Sequence, residues 1–115
     1  MDNNLIHFDE SIFNYLSSLM GNNIKMLLNK YITSSKELIT KLDTGIKDKD
    51  YDVIAHSAHP LKSSSAQIGF MKMSNIAKEI ENYACTKKDL NNISTLYQNL
   101  KIEFKEVEAT LSTKL

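Results

Sequence analysis

Apolar side chains recur at helical spacing along most of this chain. The pattern is clearest between residues 24 and 42, where apolar positions fall three or four residues apart over several turns and predict an amphipathic helix. The same spacing predicts a short helix after Asp9, a helix over about residues 51–68, and two more helices after Gly69. No stretch alternates apolar and polar residues for long enough to predict a strand.

Capping residues indicate where these helices begin and end. The expected N-caps are Asp9, Asn22 or Asn23, and Asp50. The expected stops are Gly21, Gly45 and Gly69. Residues 1–8 are expected to form a docked or frayed arm. Because short connections make neighbouring helices antiparallel, we predict one all-α domain over residues 1–115, an up-down-up-down four-helix bundle with a short additional N-terminal helix.

Pro60 conflicts with the helix predicted over residues 51–68. A proline in a helix interior removes one N–H bond and crowds the carbonyl four residues before it, at a cost of about 3 kcal/mol. The helix either continues with a kink or restarts with Pro60 in its first turn. We favour the kink, because the apolar spacing of Ile54, Leu61 and Ile68 keeps its phase across the proline.

Composition narrows the possible functions. The chain has 115 residues, 42% of them hydrophobic, which is enough for one packed core. Its net charge is zero and all 14 of its basic residues are lysine, so nucleic-acid binding is not expected. The lone Cys85 and the absence of a secretory or membrane-spanning stretch predict a cytoplasmic protein. We expect a monomer, and the starting Met1 with five complete helices favours a free-standing protein.

His59 is the main candidate for chemistry. On a helical wheel it points away from the apolar face that carries Ile54, Leu61 and Ile68, with Ala58, Ser57 and Ser64 beside that face. Small or polar side chains surround it on the exposed side, and Lys62 follows one turn later. A neutral imidazole nitrogen is a nucleophile near neutral pH. The sequence therefore predicts a nucleophile on the exposed side of a helix, where a second protein can reach it.

The local order of residues resembles a known family motif. His59-x-Leu61-Lys62-x-Ser64-Ser65, closed by Gly69, is similar to the H-x-L-K-G-S-S-x-x-x-G motif of histidine phosphotransfer (HPt) domains. These domains are helical carriers in two-component phosphorelays, and the resemblance extends to the order of helices over nearly the whole chain. It implies phosphorylation of His59, at Nε2, with Lys62 stabilising negative charge during transfer.

The resemblance also implies a partner for the other ring nitrogen. HPt domains often place a Glu or Gln of the following helix against it, and here that position matches Glu81. Glu79 and Gln67 are rivals for the same role. A carboxylate that accepts from Nδ1–H would hold the ring in the tautomer that leaves Nε2 free.

Ser63 departs from the family pattern, which usually has glycine there. Serine is small enough to keep access to the histidine, so the departure concerns the tightness of docking. The residues expected to form the docking surface are Ala55, His56, Ser63, Ala66, Gln67 and Phe70.

The predicted function is therefore a phosphoryl carrier between receiver-domain aspartates of a hybrid histidine kinase, a response regulator or both. The chain has no phosphate-binding glycine-rich loop, so it is not expected to phosphorylate itself or to hold a cofactor; Mg²⁺ is expected from the receiver.

A non-catalytic adaptor that sequesters a receiver or kinase is the alternative. A metal site formed by Asp52, His56 and His59 is a weaker rival. His7 has no pairing partner that the sequence identifies.

Overall fold

The computed structural model describes residues 6–87 and 89–115, and in these residues it contains helices and no strands. The five α-helices are α1 (Glu10–Met20), α2 (Ile24–Lys47), α3 (Tyr51–Ile68), α4 (Met71–Cys85) and α5 (Leu90–Ser112), with a 3-10 turn at Gly21–Asn23. Helices α2 to α5 form the bundle, in which α3 packs against both α2 and α4, and α5 closes the ring by contacting α4 and α2. The short α1 lies against α2 and α3. The predicted all-α bundle with an additional N-terminal helix is confirmed.

Two of the predicted N-caps are formed by aspartates. Asp9 accepts from the backbone N–H groups of Ser11 and Ile12, and Asp50 accepts from that of Val53. Each bond satisfies a donor that has no partner inside its helix. Asn23 precedes α2 without a capping side-chain bond.

Gly45 was predicted to end the second helix, and this is wrong. Helix α2 continues to Lys47, and Gly45 is buried inside it. A Cβ atom at this position would lie 3.0 Å from side-chain atoms of both Val53 and Ile54. The glycine therefore permits close packing of α2 on α3, a contact that the sequence pattern does not reveal.

Helix α3 is unbroken across Pro60, as the apolar spacing predicted. The side chains of Ile54, Ala58 and Leu61 are fully buried on both sides of the proline. Burial of this continuous apolar face offsets the loss of one backbone hydrogen bond. The alternative prediction, a new helix that begins with Pro60 in its first turn, is wrong.

The inward face of α3 also carries a buried serine. Ser65 is completely buried, and its Oγ lies 2.7 Å from the hydroxyl of Tyr31 on α2. Ser64, which was predicted beside the buried face, is only partly buried and bonds back to the carbonyl of Pro60. Burial raises the pKa of Tyr31 to about 12, so its hydroxyl stays protonated.

The N-terminal arm is docked from His7 onward, where the ring bonds to side chains of α5, and residues 1–5 lie outside the described part of the chain. The backbone N–H of Asp9 donates to the carbonyl of Gly69 at 2.8 Å, which joins the arm to the end of α3. Gly69 has the predicted left-handed conformation, with φ of 108°. A side chain here would also collide with the Asp9 carbonyl, since a Cβ would lie 2.8 Å from that oxygen.

None of the described helices combines the length and the apolar character needed to cross a membrane.

Candidate phosphotransfer site

His59 lies in the middle of α3, on the side that faces away from the core. Its side chain is 60% exposed, whereas the adjacent Ala58 and the nearby Leu61 are fully buried. The helical period of 3.6 residues produces this division, because residue 59 falls opposite the apolar stripe. The ring is accessible to another protein while its backbone is held by a helix packed on two neighbours.

Glu81 on α4 contacts the inner nitrogen of this ring. Its Oε2 lies 2.7 Å from His59 Nδ1. An ionised carboxylate can only accept a hydrogen bond, so we assign the proton to Nδ1, which donates to Glu81. In the neutral ring this tautomer leaves Nε2 unprotonated, with the lone pair of a nucleophile.

Lys62 contacts the other oxygen of the same carboxylate. Its Nζ donates to Glu81 Oε1 at 2.8 Å, so Glu81 joins the lysine to the histidine. The Glu81 side chain is only 17% exposed. Burial alone raises the pKa of the Glu81 carboxyl, but the hydrogen bonds from Lys62 and His59 outweigh burial and lower that pKa overall. The carboxylate therefore stays ionised and keeps accepting from Nδ1.

The family resemblance implied that Lys62 stabilises negative charge during transfer, and the structure adds a contact with Glu81 that the sequence did not identify. The ammonium group lies on the carboxylate that orients His59. An ammonium has three donors, so one can stay on Glu81 while another turns toward a phosphoryl oxygen. Its role in transfer stays a prediction.

The packing of α3 against α4 sets this geometry. Near the start of α4, Ser74 Oγ donates to the backbone carbonyl of Lys62 at 2.8 Å. Glu81 follows Ser74 by two helical turns and so projects from the same side of α4. Ala58 and Ala77 are both fully buried, and small side chains of this kind allow two helices to approach closely.

Of the three carboxyl or amide groups considered for His59, only Glu81 makes the contact. Glu79 instead accepts from the side-chain amide of Asn75 at 2.8 Å. Gln67 is exposed near the end of α3, two turns beyond His59, and borders a groove against α2. The sequence could not separate these candidates, because their positions relative to His59 depend on how α4 packs.

Five of the six predicted docking residues lie on the accessible side of α3. His56, Ser63 and Gln67 are exposed, while Ala55 and Ala66 are partly buried. Grooves between α2 and α3 flank this surface and were not predicted. One is lined by Lys41, Val53 and His56, among others, and the second by Lys30, Ser64 and Gln67, among others.

Phe70 is wrong as a docking residue. It is fully buried, with its ring centroid 4.8 Å from that of Phe8 and 5.9 Å from that of Tyr31. The chain reverses direction at Gly69, and this turn directs Phe70 into the core beneath the N-terminal arm. Periodicity along α3 cannot place a residue that follows the end of that helix.

The rival metal site is not assembled. His56 Nδ1 donates to the backbone carbonyl of Asp52 at 2.7 Å, and His59 Nδ1 is held by Glu81. Within residues 6–87 and 89–115, no three side chains of His, Cys, Asp or Glu are grouped so that they could hold a metal ion.

The sequence matches the family model for the Hpt domain over residues 26–110. This chain belongs to the Hpt domain family. The match contains α3 and α4, so both His59 and Glu81 lie within it. The family predicted from the His59 motif is therefore confirmed.

Curated relatives of this Hpt chain are phosphorelay proteins. It is 32% identical to the phosphorelay intermediate protein YPD1 of Candida albicans over 59 residues, which cover 51% of this chain and 32% of the relative. It is 33% identical to the phosphorelay intermediate protein rdeA of Dictyostelium discoideum over 86 residues, covering 75% of this chain and 34% of the relative. The matched region thus spans about a third of each relative's length.

Solved structures share the fold of this Hpt chain. Histidine-containing phosphotransfer protein B from Pseudomonas aeruginosa superimposes with a TM-score of 0.90 at 23% identity, covering 94% of this chain and 93% of that one. Ypd1 of Saccharomyces cerevisiae, crystallised with the receiver domain of the response regulator Ssk1, gives a TM-score of 0.86 at 17% identity, covering 96% and 95%.

Proposed function

We propose that this chain carries a phosphoryl group on His59 between receiver-domain aspartates in a two-component phosphorelay. The observation that carries the proposal is the contact between Nδ1 of the exposed His59 ring and Glu81, because a proton held at Nδ1 leaves Nε2 of the neutral ring with a free lone pair. The description of both curated relatives as phosphorelay intermediates supports the same role.

The transfer step needs no proton from this chain. The Nε2 lone pair attacks the phosphorus of an aspartyl phosphate as the bond from phosphorus to the aspartate oxygen breaks. The departing electron pair returns to the aspartate as a carboxylate, and the proton stays on Nδ1, facing Glu81. Attack by an aspartate oxygen on the phosphohistidine is the reverse step, so one geometry serves both acceptance and donation.

The chain contributes position and charge to this step. Glu81 orients the ring and favours the positive charge that the imidazole gains as its nitrogen bonds to phosphorus. Lys62 keeps Glu81 ionised and supplies a cation one turn from the reacting nitrogen. We propose that the receiver brings the aspartate and its Mg²⁺, which neutralises phosphoryl oxygens when bound.

The proposed partners are receiver domains of a hybrid kinase, a response regulator or both. The crystallised complex of the yeast neighbour with a receiver domain supports this class of partner. We propose that such a domain docks transiently over the face formed by Ala55, His56, Ser63, Ala66 and Gln67. A cytoplasmic location, proposed from the unpaired Cys85, agrees with partners of this kind.

Phosphoryl transfer from a labelled receiver domain tests the proposal directly. We expect wild-type protein to acquire acid-labile, base-stable label and His59→Gln to acquire none. His56→Gln tests whether the second exposed imidazole on this helix face is the acceptor instead, and we expect that variant still to become labelled at His59. Wild-type protein that binds several receivers without acquiring label would instead support the sequestering adaptor.

A further inference from the structure

A second exposed imidazole lies one helical turn before the proposed acceptor. His56 and His59 are three residues apart, a spacing that makes them neighbours on a helix surface. His56 Nδ1 donates to the backbone carbonyl of Asp52 at 2.7 Å, so its proton is committed to the helix. Its Nε2 is then the nitrogen that remains for other contacts, on the same face as Nε2 of His59.

The charges of the unphosphorylated site already cancel. Glu81 carries one negative charge, and Lys62 balances it through a contact of 2.8 Å. A phosphoryl group on His59 adds up to two negative charges near neutral pH, and the positive charge that the ring gains on bonding to phosphorus offsets one of them. Because Lys62 already balances Glu81, the phosphorylated site carries a net negative charge that a further nearby cation would stabilise.

We propose that His56 supplies this cation by taking up a proton on Nε2 when His59 is phosphorylated. The inference rests on the proposed function and extends it to the regulation of the same site. The proton comes from solvent, and the new positive charge then lies one helical turn from the phosphoryl group. Side chains on a helix lean toward its N-terminus, so the His59 ring extends over the turn that carries His56.

Charged side chains of both signs lie near His56. Asp52 on its own helix and Asp50 before that helix line the same groove, and Lys41 of α2 lies on the opposite side. On the α4 side, Glu81 is already neutralised by Lys62. Lys49 and Lys87 line the neighbouring pocket with the same two aspartates, so these charges roughly balance until a phosphoryl group adds to the negative side.

Reciprocal linkage makes the proposal measurable. If phosphorylation of His59 favours the protonated form of His56, then protonation of His56 favours phosphorylated His59 to the same degree. Transfer should then shift toward phosphohistidine as the pH falls through the range in which His56 titrates. The proton on His56 would bias the direction of phosphoryl flow without taking part in the transfer.

NMR titration of the histidine rings tests the inference, with phosphoramidate as the phosphoryl donor and the full chain as the sample. We expect the midpoint of His56 protonation to rise by roughly 0.4 pH unit on phosphorylation, as expected for one net negative charge about 7 Å away in a water-like medium. The NMR signals of the His7 ring should be unchanged on phosphorylation, because both of its nitrogens are bonded to side chains of α5. An unchanged His56 midpoint in protein that carries phosphohistidine would overturn this inference alone. Failure to form phosphohistidine by either phosphoramidate or a receiver would overturn the proposed function instead.

The transfer equilibrium provides a second readout. With a receiver domain as donor, the ratio of phosphohistidine to aspartyl phosphate should rise about threefold more between pH 8 and pH 5.5 in wild-type protein than in His56→Gln. Circular dichroism on both proteins verifies that the helices are retained. Identical pH dependence in the two proteins would contradict a role for His56.

Discussion

Two histidine–glutamate pairs within residues 6–87 and 89–115 differ in their surroundings. At the N-terminal arm, His7 Nδ1 is bonded to Glu103 of α5, with side chains that are 29% and 6% exposed. On α3, His59 Nδ1 is bonded to Glu81, with side chains that are 60% and 17% exposed. Both pairs join one element of the fold to another, but only the second presents its ring to solvent.

The second ring nitrogen separates the two pairs further. His7 Nε2 lies 2.8 Å from Thr110 Oγ1, so both of its nitrogens are used within the fold. His59 has one bonded nitrogen and leaves Nε2 available. A histidine–glutamate contact is therefore no indicator of chemistry by itself, because the fate of the other nitrogen decides whether the ring can react.

The lysine beside each glutamate differs as well. Lys62 lies 2.8 Å from Glu81, whereas Lys72 is 3.9 Å from Glu103. Loss of the histidine thus leaves Glu81 paired with a cation, but leaves Glu103 buried with only a distant one. We therefore expect the His59–Glu81 pair to determine activity and the His7–Glu103 pair to determine stability.

The largest expected effect is the loss of phosphoryl acceptance in His59→Gln. Glutamine cannot form the nitrogen–phosphorus bond, so label from a receiver should be absent, while thermal unfolding stays close to that of wild type because the side chain is exposed. Label on the variant at wild-type level would mean that another residue is the acceptor. Substantial unfolding would show that the two pairs do not differ as described.

His7→Ala should reverse this pattern. We expect it to lower the free energy of unfolding by about 2 kcal/mol, because Glu103 loses its close partner in a buried setting. Urea titration measures this value, and His59→Ala is the matched control, expected to change it by less than about 0.5 kcal/mol. Equal losses in the two variants would remove the distinction between the pairs.

Glu81→Gln should slow acceptance about tenfold while the helices are retained. The amide can still accept from Nδ1–H, but the hydrogen bond loses its ionic character, worth about 1.5 kcal/mol. Rapid-quench measurement of label on His59 gives the rate. Glu79→Gln is the matched control on the same helix, and an equal slowing there would argue against a specific role for the Glu81 contact.

The smallest effect is expected from Lys62→Met, a few-fold slower transfer with unchanged helicity. The wild-type pKa of Glu81 lies below its ordinary value although burial opposes this, since Lys62 and His59 donate to the carboxylate. Stabilisation by a carboxyl with a lowered pKa is present above its ordinary value and is lost as the pH falls through the folded value. Removing Lys62 should therefore move the acid limit of transfer to higher pH. Identical pH profiles would show that Lys62 does not act through Glu81.

The sequence by itself determined the helices and the proposed acceptor. Helical spacing placed Ile54, Leu61 and Ile68 inward and left His59 outside, and local capping chemistry placed Asp9, Asp50 and Gly69 at helix ends. These features depend on residues within a few turns of one another, which is why a linear pattern can specify them. The same reasoning wrongly predicted that Gly45 ends the second helix, because a glycine can permit close packing inside a helix as readily as it ends one.

Only the tertiary structure decided what surrounds these residues. The choice of Glu81 over Glu79 depends on the rotation and register of α4, which Ser74 and small buried side chains set against α3. The partners of His7 lie about a hundred positions away in the sequence, and the burial of Phe70 follows from the turn at Gly69. Contacts of this kind are made between elements, so they arise from packing of the whole bundle and leave no periodic signal in the chain.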